Sequence, residues 1–353
     1  MSERQALNRK AVLQESGKSR LVYVDDSAPG ITRRRAGRGW CYRDHAGQRI
    51  ADRTEIDRLN AVALPPAYRD AWFCPMPHGH ILATGVDARG RKQYRYHPDF
   101  RAAREAEKFD GCAAFGALLP KIRARVEAAL SGRGLSQERC IASVVRLLDT
   151  GAIRIGNEAY ARANASFGAT TLRMKHVELR GQSLRLRFRA KSGVERDMRL
   201  TDRALVRFVR RMQDLPGQHL FQYLGEDGAP CPVGSADINA WLRSVTGAEF
   251  TAKHFRTWHA SVLAFGALAH AEQNVPLKEL LAQVSDRLGN TPTIARKSYI
   301  HPAVLALVPD QAEWRAGLRL PRATQWLSRD ERGLLALLDA QPSAVSVGTS
   351  ASK

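Results

Sequence analysis

Between residues 183 and 191 the chain alternates strictly: Leu184, Leu186, Phe188 and Ala190 are apolar, and Ser183, Arg185, Arg187, Arg189 and Lys191 between them are polar or cationic. A period of two puts the two sets on opposite faces of a β-strand, one apolar and one strongly basic. A turn at Lys191-Ser192-Gly193 and a β-prone run over 194–200 complete a hairpin. Around this interruption the period is helical. Ile141, Val144, Val145 and Leu148 fall at i, i+3, i+4 and i+7, and similar stripes run through 202–213, 236–245, 256–270 and 277–288. The first hundred residues instead hold short β-prone runs at 21–24 and 39–43, then a hairpin of 80–86 and 92–96 around the turn Asp87-Ala88-Arg89-Gly90. Pro98 closes that hairpin, and the charged stretch 101–108 reads as a connecting helix. The pattern predicts an α+β protein. A small β-rich N-terminal domain (1–98) precedes a linker helix (99–110) and a larger, mainly α-helical domain with a small antiparallel hairpin sheet (111–340). A small-residue polar tail (341–353) is expected to be disordered.

With 353 residues and 44% apolar content the chain can bury real cores, and 25% charged residues is an ordinary share. The balance is not ordinary: 55 Lys and Arg face 35 Asp and Glu, a formal charge of +20 with pI ≈ 10.4. Such a surplus favours a polyanion, nucleic acid or an anionic membrane surface. The excess of Arg over Lys carries little weight, because base composition alone can produce it. The net charge does, and residues 171–211 are its densest stretch at +9. No run of 18 apolar residues exists to span a membrane, and the start, MSERQALNRK, lacks the apolar stretch of a secretory signal. Five scattered cysteines without a CxxC fit neither a disulfide framework nor a zinc finger. His78-Gly79-His80 lacks further clustered ligands and reads as a polar turn beside Pro75 and Pro77. The expectation is a reduced cytoplasmic protein with no metal and no cofactor.

Four cations in a row on one sheet face repel unless a polyanion lies opposite, so phosphate contact by Arg185, Arg187 and Arg189 is preferred to a merely solvated strand. Three further clusters stand out. Residues 251–259 place Lys253, His254, Arg256 and His259 at the head of an apolar helix; 290–299 ends in Arg296-Lys297-Ser298-Tyr299; and 150–157 embeds Arg154 between apolar neighbours. Singly, Arg154 reads equally as a helix-end arginine and Tyr299 as a half-buried aromatic. Together they suit phosphoryl transfer to a side chain. Two arginines clamp the nonbridging oxygens bidentately, a tyrosine surrounded by cations attacks, and a lysine reaching from a hairpin turn protonates the leaving oxygen. Guanidinium groups then do the work that a metal ion does elsewhere.

In these motifs the chain resembles the type IB DNA topoisomerases, specifically the compact poxvirus-like class found in bacteria, from residue 21 to residue 302. The resemblance implies that Tyr299, in Ala295-Arg296-Lys297-Ser298-Tyr299, is the nucleophile. It implies that Arg154, in Ile153-Arg154-Ile155-Gly156, and Arg256, in Lys253-x-x-Arg256-Thr257, hold the phosphate with Lys253 beside it, and that Lys191 after the basic strand is the general acid. Poxviral members carry a histidine nine residues before the tyrosine; here Asn290 stands there, able to donate a hydrogen bond but bringing no charge. The segment Thr84-Gly85-x-Asp87-x-x-Gly90-Arg91-Lys92-Gln93-Tyr94-x-Tyr96 resembles the family's groove-reading strand, which implies that Gln93, Tyr94 and Tyr96 meet the duplex. The other reading of Tyr94 and Tyr96 is packing on their own sheet.

The expectation is therefore a monomer of two domains that clamps double-stranded DNA in the cytoplasm. It relaxes supercoils through a 3′-phosphotyrosyl intermediate without ATP or metal. A tyrosine site-specific recombinase shares the Arg, Lys, Arg and Tyr chemistry and is the alternative, disfavoured by the β-rich front end and by Lys253 where recombinases usually carry a histidine. A non-catalytic architectural protein accounts for the charge but not for the ordered motifs.

Overall fold

The computed structural model describes residues 21–340 apart from Arg38 and Arg133, and apart from the side chains of 105–108 and 110. The expected tail, 341–353, lies outside the described residues. Contacts divide the chain into two compact units, up to residue 108 and from 109 on.

In the first unit, strands β1 (Ile31–Ala36), β2 (Gly39–Arg43), β3 (Arg69–Phe73), β4 (Ile81–Val86) and β5 (Lys92–Tyr96) form an antiparallel sheet in the order β2-β1-β3-β4-β5. The hairpin expected over 80–96 is β4–β5, closed with Val86 opposite Lys92. Residues 21–24 form no strand; Val22 makes a single bridge to Gly79 and Tyr23 stays exposed. Two strands and a helix had no clear signature. In β1 the run Arg33-Arg34-Arg35 hides the alternation, because Arg33 lies 4.1 Å over the Trp40 ring and donates to the carbonyls of Leu64 and Pro65. Strand β3 is short and joined to β4 across a bulge. Helix α1 (Arg53–Ala61), capped by Asp52, fully buries only Leu59. Leu59 joins Ile31, Tyr42, Leu64, Phe73 and Ala83 in this unit's core.

The helix expected at 99–110 is the first part of one long helix, α2 (Pro98–Ser131). Then follow α3 (Gln137–Gly151), α4 (Glu158–Asn164), the antiparallel strands β6 (Val177–Arg180), β7 (Ser183–Arg189) and β8 (Glu195–Thr201), α5 (Arg203–Met212), the small pair β9 (Gln222–Leu224) and β10 (Pro230–Pro232), α6 (Ser235–Thr246), α7 (Ala252–Ala269), α8 (Leu277–Leu288), α9 (Pro292–Ser298), α10 (Pro302–Leu305), α11 (Gln311–Gly317) and α12 (Arg329–Asp339). The helical stripes become α3, α5, α6, α7 and α8, and the alternating segment becomes β7, with β6 and β8 on either side rather than a hairpin alone. Leu184, Leu186 and Phe188 face the core and the arginines face outward, as period two requires. The fold class is α+β. No described helix is long and apolar enough to cross a membrane.

Helix α7 runs through the centre of the second unit: Phe255, Trp258, Ala260, Ser261, Ala264, Phe265 and Leu268 are all buried. Around it a cluster of charges joins four helices. Arg123 of α2 donates to Asp149 of α3 (2.8 and 2.9 Å), to Glu331 of α12 (2.7 and 3.0 Å) and to the Trp326 carbonyl. Trp258 of α7 donates to Glu331 at 3.1 Å, and His259 Nε2 lies 3.3 Å from Asp149. Burial pushes both carboxyls up, but Arg123, helped by His259 at Asp149 and by Trp258 and Ser328 at Glu331, outweighs it and holds both below the usual carboxylate range.

Arg123→Met leaves these buried carboxylates without their guanidinium, with only His259 beside Asp149 and Trp258 and the Ser328 N–H on Glu331, and is expected to cost about 3–5 kcal/mol at neutral pH. Because the folded pKa values are depressed, the stabilisation is present above the ordinary carboxylate pKa of about 4 and is lost as pH falls below it. Urea unfolding of both proteins checks this: the gap between variant and parent narrows as pH is lowered from 7 towards 3.

Candidate active site

Helix α3 ends at Ala152, whose left-handed backbone (φ 50°) turns the chain out of the helix into Ile153-Arg154-Ile155-Gly156, a segment without regular secondary structure. Ile153 enters the core. The Ala169 N–H donates to the Arg154 carbonyl and the Thr170 N–H to the Ile155 carbonyl, both at 2.8 Å. Gly156 (φ +92°) lies so close to this neighbouring segment that a Cβ there would stand 2.8 Å from Thr171 Oγ1 and 3.1 Å from the Gly168 carbonyl carbon. The backbone of Arg154 is therefore clamped, and its half-buried side chain donates through Nη2 to Asn290 Oδ1.

Arg256, one turn inside α7, is buried. Its Nη1 donates to the Ala152 carbonyl at 2.5 Å and its Nη2 to the Leu288 carbonyl at 3.1 Å, so it ties the C-terminal ends of α3 and α8 together. Burial pulls its pKa down to about 10; Arg154 and Arg196 add to the shift and Tyr299 opposes it, and the group stays charged at neutral pH.

Helix α8 closes with Gly289 (φ +62°), after which the Asn290 N–H donates to the Ser285 carbonyl at 3.0 Å. The Asn290 side-chain amide nitrogen is buried and makes no hydrogen bond among the described residues. Thr291 caps the short helix α9, Pro292 starts it, and buried Ala295 and Ile300 hold it down. Tyr299 stands at its end, and the Arg256 guanidinium carbon is 4.8 Å from its ring centroid. Ser261 of α7 accepts from the His301 N–H at 2.9 Å and lies 3.4 Å from the Tyr299 carbonyl, which fixes the backbone on which the phenol is carried. Burial pushes the Tyr299 phenol up, but the charge and hydrogen bonding of Arg256, with the charges of Arg154 and Lys191, outweigh it and leave it below an ordinary tyrosine.

Lys191 occupies the exposed turn between β7 and β8. Arg154, Lys191, Lys253, Arg256 and Tyr299 line one open cavity of about 450 Å³. A second, of about 510 Å³, is lined by Arg154, Lys191, Arg196, Asn290 and Tyr299 among others. Arg154, Lys191 and Tyr299 are common to both. Arg154, Arg196 and Arg256 at these cavities, and Arg287 in the last turn of α8 outside their linings, are all held by neutral oxygens: Asn290, the carbonyls of Asp286 and Arg287, those of Ala152 and Leu288, and that of Thr150. Among the described residues none of the four forms an ion pair with a carboxylate. Their charge is left for an anion.

Other candidates lie elsewhere or act differently. The cluster at 251–259 is split: Lys253 and Arg256 face the cavity, while His254 accepts from the Thr251 N–H beside Phe115 and Phe250, and His259 turns to Asp149. On the basic strand, Asp197 of β8 takes Arg185 through two hydrogen bonds and lies 3.3 Å from Arg187, and Glu195 stands in register with Arg189. Carboxylates of the same sheet thus answer part of the repulsion expected from the sequence. In the first unit, Tyr94 and Tyr96 are exposed and stack on each other with centroids 5.8 Å apart. Gln93, on the opposite side of β5, donates to Asp87 at 2.9 Å. Arg196 was missed, although it carries a readable signal: it shares a strand face with buried Met198 and Leu200, where an apolar residue is expected.

The family model for the eukaryotic DNA topoisomerase I catalytic core matches residues 97–306, more than half of the chain, and that for the bacterial DNA topoisomerase IB N-terminal domain matches residues 39–87. The chain belongs to the type IB DNA topoisomerase family. Its relatives in that family include the DNA topoisomerase 1B of Acanthamoeba polyphaga mimivirus, 29% identical over 81% of this chain and 89% of the relative, and that of vaccinia virus (strain Copenhagen), 20% identical over 65% and 73%. Among solved structures, the XerH site-specific recombinase aligns over 56% of this chain and 51% of its own with 15% identity and a TM-score of 0.37, too distant to carry an argument. Every motif of the second unit that resembles the type IB family lies within the catalytic-core match.

Ultraviolet difference titration of the parent against Tyr299→Phe isolates this phenol. Its transition is expected below the ordinary value of about 10, and Arg154→Ala is expected to move it up. A transition at or above the ordinary value rejects the electrostatic account.

Proposed function

We propose that the chain relaxes supercoiled duplex DNA by transient cleavage of one strand. Tyr299 Oη, as the phenolate that the surrounding cations favour once its proton has gone to water, attacks a backbone phosphorus, the bond to the 5′-oxygen breaks, and a 3′-phosphotyrosyl link forms. Lys191 gives its proton to the departing oxygen and leaves a 5′-hydroxyl. Arg154 and Arg256 hold the nonbridging oxygens as charge builds on them, with Asn290 donating its amide and Lys253 beside the phosphate. The cut strand swivels, the hydroxyl reattacks, and Tyr299 is released. One phosphodiester replaces another of similar energy, so the exchange needs no ATP and supercoil strain drives it.

The observation that carries this reading is the meeting of Tyr299 with Arg154, Arg256 and Lys191 around one cavity whose arginines have no carboxylate partner among the described residues. The reading extends to a monomer acting in the cytoplasm, its β-rich part (1–98) and catalytic part (111–340), joined through 99–110, closing on the duplex. Gln93, Tyr94 and Tyr96 then meet the groove, and Arg185, Arg187 and Arg189 meet phosphates.

Relaxation of a supercoiled plasmid lacking any recombination site, in the presence of a chelator and without ATP, tests the activity. Tyr299→Phe is expected to abolish both relaxation and covalent adducts on denaturing gels while binding stays within severalfold; adducts formed by the Phe variant reject the nucleophile.

Binding of duplex DNA across a salt series tests the basic strand. Arg187→Gln/Arg189→Gln is expected to flatten the log–log slope by roughly one to two units, at about 0.9 for each phosphate that is no longer neutralised. Arg185→Gln changes it less, because Asp197 already holds that side chain. Parallel lines for parent and double variant mean that this face does not meet DNA.

A further inference from the structure

We propose that Arg196 is a positioning residue: it latches the turn that carries Lys191 to the end of α8 and so sets where the lysine stands. The inference rests on the reading of Lys191 as the proton donor.

The turn itself is tight. The Ala190 N–H donates to the Val194 carbonyl at 2.7 Å and the Gly193 N–H to the Ala190 carbonyl at 3.1 Å, so Lys191 cannot shift without moving residue 194, two positions before Arg196. The tip is otherwise exposed: Lys191, Ser192, Val194 and Glu195 all face solvent. Among the described residues, the other hydrogen bond from this end of the hairpin to the rest of the unit runs from the Phe167 N–H to the Arg189 carbonyl at 2.7 Å. Ala190, directly before the tip, packs in the core, so the freedom left is that of the exposed tip itself, and a proton donor misplaced by about 1 Å can lose on the order of a hundredfold in rate.

Arg196 closes that freedom. Its Nη1 donates to the Asp286 carbonyl at 3.0 Å, which also accepts from the Gly289 N–H at 3.3 Å, and its Nη2 to the Arg287 carbonyl at 2.8 Å, both oxygens of the last turn of α8. Its stem packs on Gly289, where a Cβ would stand 2.9 Å from Nη1 and 3.1 Å from Cδ. Gly289 directly precedes Asn290, which accepts from Arg154. The contacts therefore run from the lysine turn through Arg196 to the wall that carries Asn290 and Arg154. Both prongs of the guanidinium are spent on carbonyls, which is the geometry of a tether rather than of a phosphate ligand.

Single-turnover cleavage by the full chain tests this, using ordinary DNA and DNA with a 5′-bridging phosphorothiolate, whose sulfur leaves without a proton. Lys191→Ala is expected to be slow on the ordinary substrate and to recover on the sulfur one. Arg196→Ala is expected to lose roughly ten- to a hundredfold on ordinary DNA and to recover most of it on the phosphorothiolate, with unchanged covalent attachment through Tyr299. Loss of stability alone does not depend on the leaving atom, so selective recovery separates positioning from folding. If Lys191→Ala recovers and Arg196→Ala is equally slow on both substrates, or is not slowed at all, the latch is wrong while the reading of Lys191 stands. If Lys191→Ala itself fails to recover, the proton-donor reading falls and takes the latch with it.

Discussion

The candidate site depends on one kind of contact: a guanidinium held by backbone carbonyls at the end of a helix. Arg256 joins the ends of α3 and α8, Arg196 takes the last turn of α8, and Arg287 takes the Thr150 carbonyl in the last turn of α3. A carbonyl dipole orients an arginine without neutralising it. A carboxylate in the same place would hold the side chain as firmly and cancel the charge that a phosphate needs. The C-terminal ends of helices, which carry the negative pole of the backbone, are where such cations cost least.

The same unit uses carboxylates freely where charge is to be hidden. Arg123 is surrounded by Asp149 and Glu331, and His259 points at Asp149. Arg256 and His259 are less than one turn apart on α7, yet one is held by neutral oxygens beside the cavity and the other joins the ionic cluster against α2, α3 and α12. Two neighbouring cations on α7 are thus given opposite surroundings by the partners offered to them, one neutral and one ionic.

Much of this was legible in the sequence, and the reasons differ by element. Helix α8 coincides with the stripe at 277–288 because one clean apolar face was written in the helical period. Arg154, Arg256, Lys191 and Tyr299 could be picked out because phosphoryl transfer demands those residue types together, although their spacing in the chain says nothing of their meeting in space. Strand β1 was hidden by three arginines in a row, one of which is fixed by the ring of Trp40 rather than by alternation. The long helix α2 looked like a short linker because its first part, 101–108, is charged and carries no apolar stripe, whereas Cys112, Phe115, Leu119, Ile122, Val126 and Leu130 further along form one that was readable. The basic strand looked more exposed to repulsion than it is, since Asp197 lies across the sheet and not along the chain.

Arg154, Arg196 and Arg256 line these two cavities, none of them neutralised by a carboxylate among the described residues, and they repel one another. Any anion that settles among them in the native state removes part of that repulsion, and none is gathered in the same way when the chain is unfolded. By mass action the folded form is then favoured in proportion to anion occupancy. Buffer chemistry is then expected to be a variable of the fold itself, with phosphate or sulfate among these arginines raising the melting temperature.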